Sequence, residues 1–136
     1  MNGSADAVRA LVEELFRRTG SGAAPETIAE LFSEDVDWYI AGDVALVPWI
    51  GRKKGRAGAA EFYRQIRALI GSERFELSEI LVAGDRAIAV GSLASRVLST
   101  GKLIETEFAF DLTMADGLIR RFRMFEDSFA VAQAAA

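Results

Sequence analysis

The chain has 136 residues, a formal net charge of −4 and 51% hydrophobic residues, which suits one domain with an apolar core. Nucleic-acid binding needs a basic excess, so the acidic balance disfavours that class. Cysteine and histidine are both absent. Disulfides, thiolate nucleophiles and histidine acid–base chemistry are therefore excluded, and the usual zinc sites are disfavoured. We expect no metal and no cofactor, and any proton transfer must rest on Asp, Glu, Tyr, Lys or water.

The N-terminal half shows the residue spacing of amphipathic helices. A first helix is predicted from about residue 5 to residue 20, because apolar residues recur on one face. They are Val8, Leu11, Val12, Leu15 and Phe16. A short second helix is predicted to begin at Pro25 and to include Phe32, with residues 33–35 ending it. A third helix is predicted to continue to Ile70.

The rest of the chain is predicted to be extended. Residues 36–40 are rich in β-branched and aromatic side chains, which predicts a strand. The long connection over residues 41–55 is of a length that often serves function. From residue 72 the hydrophobic period changes to two, which indicates strands joined by tight turns. The predicted strands cover residues 73–83, 86–98, 102–114 and 117–129.

Helices followed by strands predict an α+β fold. We expect a cone-shaped, curved antiparallel sheet packed on about three N-terminal helices. Such a sheet often leaves an apolar cavity under its helices, and cavities of this kind bind ligands. Phe16 and Phe62, both in predicted helices, are candidate substrate-binding residues in the cavity wall. The alternative is that both rings simply fill the core.

Two further patterns bear on location. The N-terminal segment lacks the basic and apolar regions of a signal peptide. No apolar run reaches the ~20 residues of a membrane-spanning helix. We therefore expect a cytoplasmic protein.

Four segments form a recognisable pattern along the chain. They are Leu-Phe-Ser-Glu-Asp-Val-Asp-Trp-Tyr (31–39), Pro-Trp-Ile-Gly-Arg (48–52), Ser-Thr-Gly (99–101) and Asp-Gly-Leu-Ile-Arg-Arg-Phe-Arg-Met-Phe-Glu-Asp-Ser-Phe (116–129). This pattern resembles a SnoaL-like domain of the nuclear transport factor 2-like superfamily over nearly the whole chain. The resemblance implies that superfamily's α+β barrel and homodimers formed through the outer sheet face. It also implies relatives such as polyketide cyclases, ketosteroid isomerase and limonene epoxide hydrolase.

Two of those relatives' reactions are not expected here. The position that aligns with the carboxylate base of ketosteroid isomerase holds Ile40. The stretch Ala-Ser-Arg-Val-Leu (94–98) lacks the aspartate that limonene epoxide hydrolase uses.

Asp127 is the candidate catalytic residue, because the resemblance implies an aspartate at this place that points into the pocket and handles a proton. Burial at an apolar mouth would raise the pKa of such a carboxyl group towards a useful range. The alternative is a carboxylate that caps backbone amides at the strand end or pairs with arginine. Glu126 is expected on the opposite face, because adjacent strand residues alternate.

Four more residues are candidate substrate-binding residues. Arg123 shares the predicted strand face of Asp127 and is expected to be its charge partner or to anchor an anionic ligand. Arg96 is expected to reach the pocket. The hydrophobic periodicity of its strand does not decide which face of the strand points inward. For Arg123, the alternative is a solvated or dimer-facing strand. Tyr39 and Trp49 are expected at the cavity entrance as hydrogen-bond donors, with core filling as the alternative.

Two functions from different classes remain open. The first is a cofactor-independent isomerase, cyclase or hydratase that binds a small, mostly apolar molecule and uses Asp127 as general acid or base. The second is a non-catalytic ligand-binding or dimeric accessory domain that uses the same cavity. A ligand that is turned over by the wild-type protein but only bound by Asp127→Asn would favour the enzyme.

Overall fold

Helical and extended segments follow one another in the order that the change of hydrophobic period predicts. The computed structural model describes residues 2–136, with side chains from Ser4 onward. Its elements in chain order are α1 (Asn2–Gly20), α2 (Pro25–Ala29), β1 (Phe32–Ile40), β2 (Gly51–Lys54), α3 (Gly55–Leu69), β3 (Ile70–Ala83), β4 (Arg86–Val97), β5 (Leu103–Ala115), β6 (Leu118–Glu126) and α4 (Ser128–Ala135). Within residues 2–136, none of the helices combines the length and the hydropathy that a bilayer crossing requires.

The strands form one sheet in the order β2-β1-β6-β5-β4-β3. Strands β3 to β6 pair as successive antiparallel hairpins, which confirms the predicted meander. In the turn between β5 and β6, Asp116 and Gly117 both have positive φ angles, 53° and 78°, as two-residue hairpin turns favour. β1 pairs with β6 in parallel, so the sheet is mixed. No hairpin joins these two strands, and no turn therefore dictates their relative direction.

Irregular pairing along β3 bends the sheet. The register with β4 shifts at residues 72–74 and again at residues 77–79, and such bulges bend and twist a strand. Gly91 lies opposite Leu77 beside the second shift, where a Cβ atom would lie 1.9 Å from the Glu76 carbonyl oxygen. Only glycine allows this close approach of two backbones. The curved sheet packs against the N-terminal helices, which confirms the predicted α+β architecture.

A cluster of buried aromatic rings lies between α3 and strands β1 and β6. Trp38 and Phe122 are fully buried there and stack with ring centroids 3.8 Å apart. Phe32 and Tyr63 pack against the Trp38 ring at centroid distances of 5.5 and 6.0 Å. Large aromatic rings dominate the energetics of a core. This end of the molecule is therefore held by mutually packed aromatic side chains.

Two boundaries in the N-terminal half differ from the predicted ones. Phe32 begins β1 instead of ending α2, because in the strand its ring reaches the core beside Trp38 and Phe122. Residues 51–54 form β2 inside the expected long connection and pair with β1. Three of these four residues are charged, so the segment lacks the apolar alternation that marks a strand in a sequence.

The C-terminal end also differs, because β6 stops at Glu126 and α4 follows. The Asp127 carboxylate accepts a hydrogen bond from the Ala130 backbone N–H at 3.0 Å and so caps the new helix. At the other end, the Thr100 hydroxyl donates to the Ala134 carbonyl at 2.6 Å. A local cap at one end and a tertiary contact at the other therefore hold a helix over residues that were predicted to continue the strand.

Candidate functional site

A cavity of about 360 Å³ lies between the sheet and the helices, with a mostly apolar wall. Its lining residues are Phe16, Thr19, Gly20, Ile40, Trp49, Ile50, Phe62, Tyr63, Ile66, Ile70, Ser72, Phe75, Leu93, Ser95, Ile104, Phe110, Met124, Glu126 and Val131. Phe75 is 45% exposed, and Gly20 and Ser72 are exposed as well. The cavity therefore meets solvent between the end of α1 and the start of β3. Ligand sites have volumes of roughly 300–1,000 Å³, so this one suits a small molecule.

Glu126 supplies the carboxyl group of this wall. It is the last residue of β6 and shares an inward face with Phe122 and Met124, because strand side chains alternate. Burial raises the pKa of the Glu126 carboxyl group from 4.5 to about 7, because the charged form loses hydration. At neutral pH the group therefore populates both protonation states and can donate or accept a proton. In the described part of the chain, no group of three or more carboxylates is placed to hold a metal ion.

Four residues of the wall carry hydroxyl groups, namely Thr19, Tyr63, Ser72 and Ser95, and Tyr63 and Ser95 are the buried ones. Tyr63 comes from α3, and burial raises the pKa of its phenol well above the usual value, so the phenol stays neutral and keeps its O–H donor. Ser95 comes from β4 and is 6% exposed. Its hydroxyl borders the cavity, where it can donate a hydrogen bond to a ligand or accept one from it.

The structure places Asp127 outside this cavity and corrects its expected orientation. The residue is exposed, its carboxylate caps α4, and its backbone N–H donates to the Thr106 hydroxyl at 2.9 Å. It borders a separate, open polar cleft together with Arg74 and Glu107. Because successive strand side chains point to opposite faces, the inward orientation of Glu126 turns the next residue, Asp127, away from the cavity. Of the two alternatives from the sequence, capping of backbone amides is the one observed.

Arg123 and Tyr39 also lie away from the cavity, on the outer face of the sheet. Arg123 Nη2 lies 3.0 Å from Asp37 Oδ2, and Arg123 Nη1 donates to the Asp37 carbonyl at 2.9 Å. The Tyr39 ring lies 4.8 Å from the Arg52 guanidinium carbon and 5.8 Å from that of Arg123. Tyr39 faces outward because the neighbouring Trp38 occupies the core. These two expected positions are therefore corrected.

Arg96 is on the outer face as well, contrary to its expected position. Its Nε atom lies 2.6 Å from Glu73 Oε2, and its Nη1 donates to the Gly101 carbonyl at 2.8 Å. On the inward face of this part of β4, Leu93, Ser95 and Val97 are buried. The sheet therefore turns the aliphatic face inward and leaves the guanidinium hydrated, which avoids the free-energy cost of burying a charge.

The structure brings together Phe16, Trp49 and Phe62, which all line the cavity. The Phe16 ring packs edgewise on Phe110 at a centroid distance of 5.2 Å. The Phe62 ring lies 5.0 Å from Trp38, so it belongs to the core on one side and to the cavity on the other. Trp49 is buried and comes from the connection between β1 and β2, the segment whose length suggested a function.

Sequence reasoning missed Glu126, Tyr63 and Ser95 as lining residues. A signal for Glu126 does exist, because Phe122 and Met124 precede it at intervals of two, while Arg121 and Arg123 occupy two of the alternate positions. Period two then predicts Glu126 on the apolar face. Tyr63 and Ser95 carry no such signal, since a tyrosine or serine on a buried face is equally compatible with a filled core.

A comparison with known families agrees with this architecture. The profile of the SnoaL-like domain matches residues 8–122, which is most of the chain. This chain belongs to the SnoaL-like domain family. The recognition based on the four sequence segments is thereby confirmed. A search of curated proteins found no significant match.

Solved structures show where else this SnoaL-like fold occurs. A nuclear transport factor 2-like protein from Burkholderia xenovorans LB400 is 25% identical, with 98% of each chain covered and a TM-score of 0.87. TerC, which was co-crystallised with polyporic acid, is 22% identical, with 95% of this chain and 98% of TerC covered and a TM-score of 0.81. A protein from Jannaschia sp. CCS1, provisionally named a SnoaL-like polyketide cyclase, is 16% identical, with 99% and 95% covered and a TM-score of 0.77. These likenesses confirm the fold.

Proposed function

We propose that this SnoaL-like protein binds a small, mostly apolar carbonyl compound in its cavity and moves a proton on it, with Glu126 as the general acid or base. The observation that carries the proposal is a carboxyl group with a pKa of about 7 in an apolar wall that is open to solvent at one end. A proton-transfer group is most effective when its pKa lies near the working pH. TerC with polyporic acid and the name of the Jannaschia protein support a small organic ligand.

Two polar groups of the wall, the Glu126 carboxyl group and the Tyr63 hydroxyl, have distinct roles in this proposal. The Glu126 carboxylate takes a proton from the α-carbon, next to the carbonyl group, and the C–H electron pair forms the enolate. The resulting acid returns a proton to the same carbon, or to the γ-carbon of a β,γ-unsaturated compound, whose double bond then shifts to the α,β position. The Tyr63 hydroxyl donates a hydrogen bond to the carbonyl oxygen, where negative charge develops. The proton balance closes within the cycle, so neither a metal nor a redox cofactor is needed for this step. The aromatic wall holds the carbon skeleton and excludes water from the enolate.

The test is proton exchange in D₂O, followed by NMR on a panel of small apolar ketones at pH 7.5. We expect the wild-type protein to exchange the α-protons of at least one ketone above the buffer rate. Glu126→Gln should reduce that rate by about 10²–10⁴-fold, the usual contribution of a general base. Tyr63→Phe should reduce it by about 10²-fold, as the loss of an oxyanion donor does.

Asp127→Asn is the matched control, because it neutralises the neighbouring carboxylate and asparagine still caps a helix. It should leave the exchange rate unchanged. Retained exchange in Glu126→Gln, or its loss in Asp127→Asn, would contradict the assignment of the base. Ketones that bind without exchange in the wild-type protein would favour the alternative, a non-catalytic binding domain.

A further inference from the structure

Within the described residues, Glu126 forms no salt bridge, and arginines of the neighbouring strands pair with carboxylates on the outer face instead. Arg123 pairs with Asp37 and Arg96 pairs with Glu73. Among the lining side chains of the cavity, only Tyr63 and Glu126 titrate, and neither carries a positive charge. Buried charges are normally paired. Ionised Glu126 is therefore a site for a cation that arrives with a ligand.

The wall around this carboxyl group is also suited to a cation. Six aromatic side chains line the cavity, namely Phe16, Trp49, Phe62, Tyr63, Phe75 and Phe110. Phe16 lies 5.2 Å from Phe110 and 5.8 Å from Phe75 between ring centroids, so several rings border one space. The faces of aromatic rings attract ammonium groups, and sites that recognise such ligands commonly combine several rings. The carboxylate can pair with the positive charge of a protonated amine, and the clustered rings can pack against its apolar body.

We propose that the cavity binds protonated amines with a small apolar body, with the ammonium group paired to the Glu126 carboxylate and the body packed among Phe16, Phe62 and Trp49. This inference rests on the proposed function, since both use the same carboxylate. An amine in the cavity competes with the carbonyl compound. It also stops proton exchange, because a carboxylate paired with a cation is a much weaker base.

The pairing makes binding depend on pH in a defined way. Burial raises the pKa of the Glu126 carboxyl group to about 7, so below that pH the group must release a proton before it pairs with a cation. The affinity is therefore constant above pH 7 and falls about tenfold for each pH unit below it. Tyr63 on α3 stays neutral, because burial raises the pKa of its phenol. The lining side chains of α1, β1, β3, β4, β5 and α4 contribute no titratable group.

The experiment compares three probes of one size by NMR-detected titration from pH 5 to pH 8.5. Benzylamine is the protonated amine, benzyltrimethylammonium is a cation whose charge is independent of pH, and benzyl alcohol is the neutral analogue. At pH 8 we expect both cations to bind at least tenfold more tightly than the alcohol. The affinity of benzyltrimethylammonium should fall about tenfold between pH 6.5 and pH 5.5, while that of the alcohol changes little. Glu126→Gln should abolish the preference for the cations and leave alcohol binding intact.

The inference is overturned if neither cation binds better than benzyl alcohol at pH 8, or if Glu126→Gln keeps the preference for cations. Failure of the proposed function has a different signature. If the wild-type protein prefers the cations but does not exchange ketone protons, the amine site is supported and the assignment of Glu126 as general base is wrong. If the protein exchanges ketone protons and benzylamine does not inhibit this exchange, the general base is supported and the amine site is wrong.

Discussion

Asp111 on β5 and Glu126 on β6 lie on adjacent strands, and both carboxyl groups are shielded from water, yet their pKa values shift in opposite directions. Asp111 is 6% exposed. Hydrogen bonds from Arg86 Nε and Nη2, at 2.8 and 2.7 Å, and the guanidinium of Arg121 at 3.3 Å hold the pKa of Asp111 below its usual value, although burial opposes them. Among the residues that the structure describes, Glu126 has no such partner, and burial raises its pKa to about 7.

The difference comes from the two faces of the sheet. On the outer face, Arg86 and Arg121 keep part of their side chains in water while they pair with Asp111. On the inner face, Glu126 lies in a mostly apolar cavity wall that contains no arginine or lysine. A shielded carboxylate with arginines is a structural ion pair, whereas one without them is available for a proton or a ligand. The partners of a carboxyl group, more than its burial, therefore decide which role it can take.

The largest effect is expected when Asp111 loses both of its partners. Arg86→Ala combined with Arg121→Ala should destabilise the protein by about 3–5 kcal/mol at pH 7, because an unpaired charge stays buried. Urea unfolding at two protein concentrations measures this loss and also reveals any contribution from the homodimer expected through the outer sheet face. Adding Asp111→Asn to the double variant should restore part of the stability. A loss below 1 kcal/mol would show that Asp111 does not depend on these arginines.

A somewhat smaller effect is expected when Glu126 loses its charge. The pKa of this carboxyl group is higher in the folded protein than its ordinary value of 4.5, so the folded state binds more protons and stability falls as the pH rises from about 4.5 to 7. Glu126→Gln should therefore match the wild-type protein at pH 4 and exceed its stability by roughly 3 kcal/mol at pH 8, since a tenfold change in proton affinity corresponds to about 1.4 kcal/mol.

Paired urea unfolding curves of the wild-type and Glu126→Gln proteins at pH 4, 6 and 8 check this expectation. Asp111 is present in both proteins, so its titration affects their stabilities equally and drops out of the difference. Because the pKa of Asp111 is lowered, its contribution to stability is lost only in acid. A stability difference that stays constant over this pH range would mean that Glu126 titrates as an ordinary exposed glutamate. The proposed difference in pKa between Glu126 and Asp111 would then be wrong.

The smallest effect is expected at Asp127, which lies beside Glu126 in the chain but outside the cavity. Asp127→Ala removes the cap of α4 and should cost about 1 kcal/mol. Asp127→Asn should cost only about 0.3 kcal/mol, because asparagine caps helices as well as aspartate does. Thermal unfolding of both variants measures the difference. If Asp127→Asn lost as much stability as Asp127→Ala, the charge and not the cap would be what matters at this position.

Much of the fold was predictable because it depends on local patterns. The meander of β3 to β6 follows from period two and from turn residues such as Asp116-Gly117. The parallel pairing of β1 with β6 was not predictable, because it joins residues far apart in sequence without a turn between them. The short, charged β2 was missed for a similar reason, since its pairing with β1 and not its composition makes it a strand.

The candidate site shows the same division. Phe16, Trp49 and Phe62 were predicted to line the cavity and do so, because their size and apolar character suit a wall wherever the helices and the loop pack. Asp127, Arg96, Arg123 and Tyr39 were placed on the wrong face. The resemblance directed attention to an aspartate near the end of β6, while the alternation of Phe122, Met124 and Glu126 indicated the inner face.

By itself, the sequence determined that proton transfer here rests on residues such as carboxylates and tyrosines, since histidine and cysteine are absent. It also determined the α+β order of elements and the two faces of each long strand. Only the tertiary structure decided which face is covered and which arginines meet which carboxylates. Those choices depend on contacts between distant strands and helices, and they set the dielectric surroundings and charge partners from which the pKa of Glu126 follows.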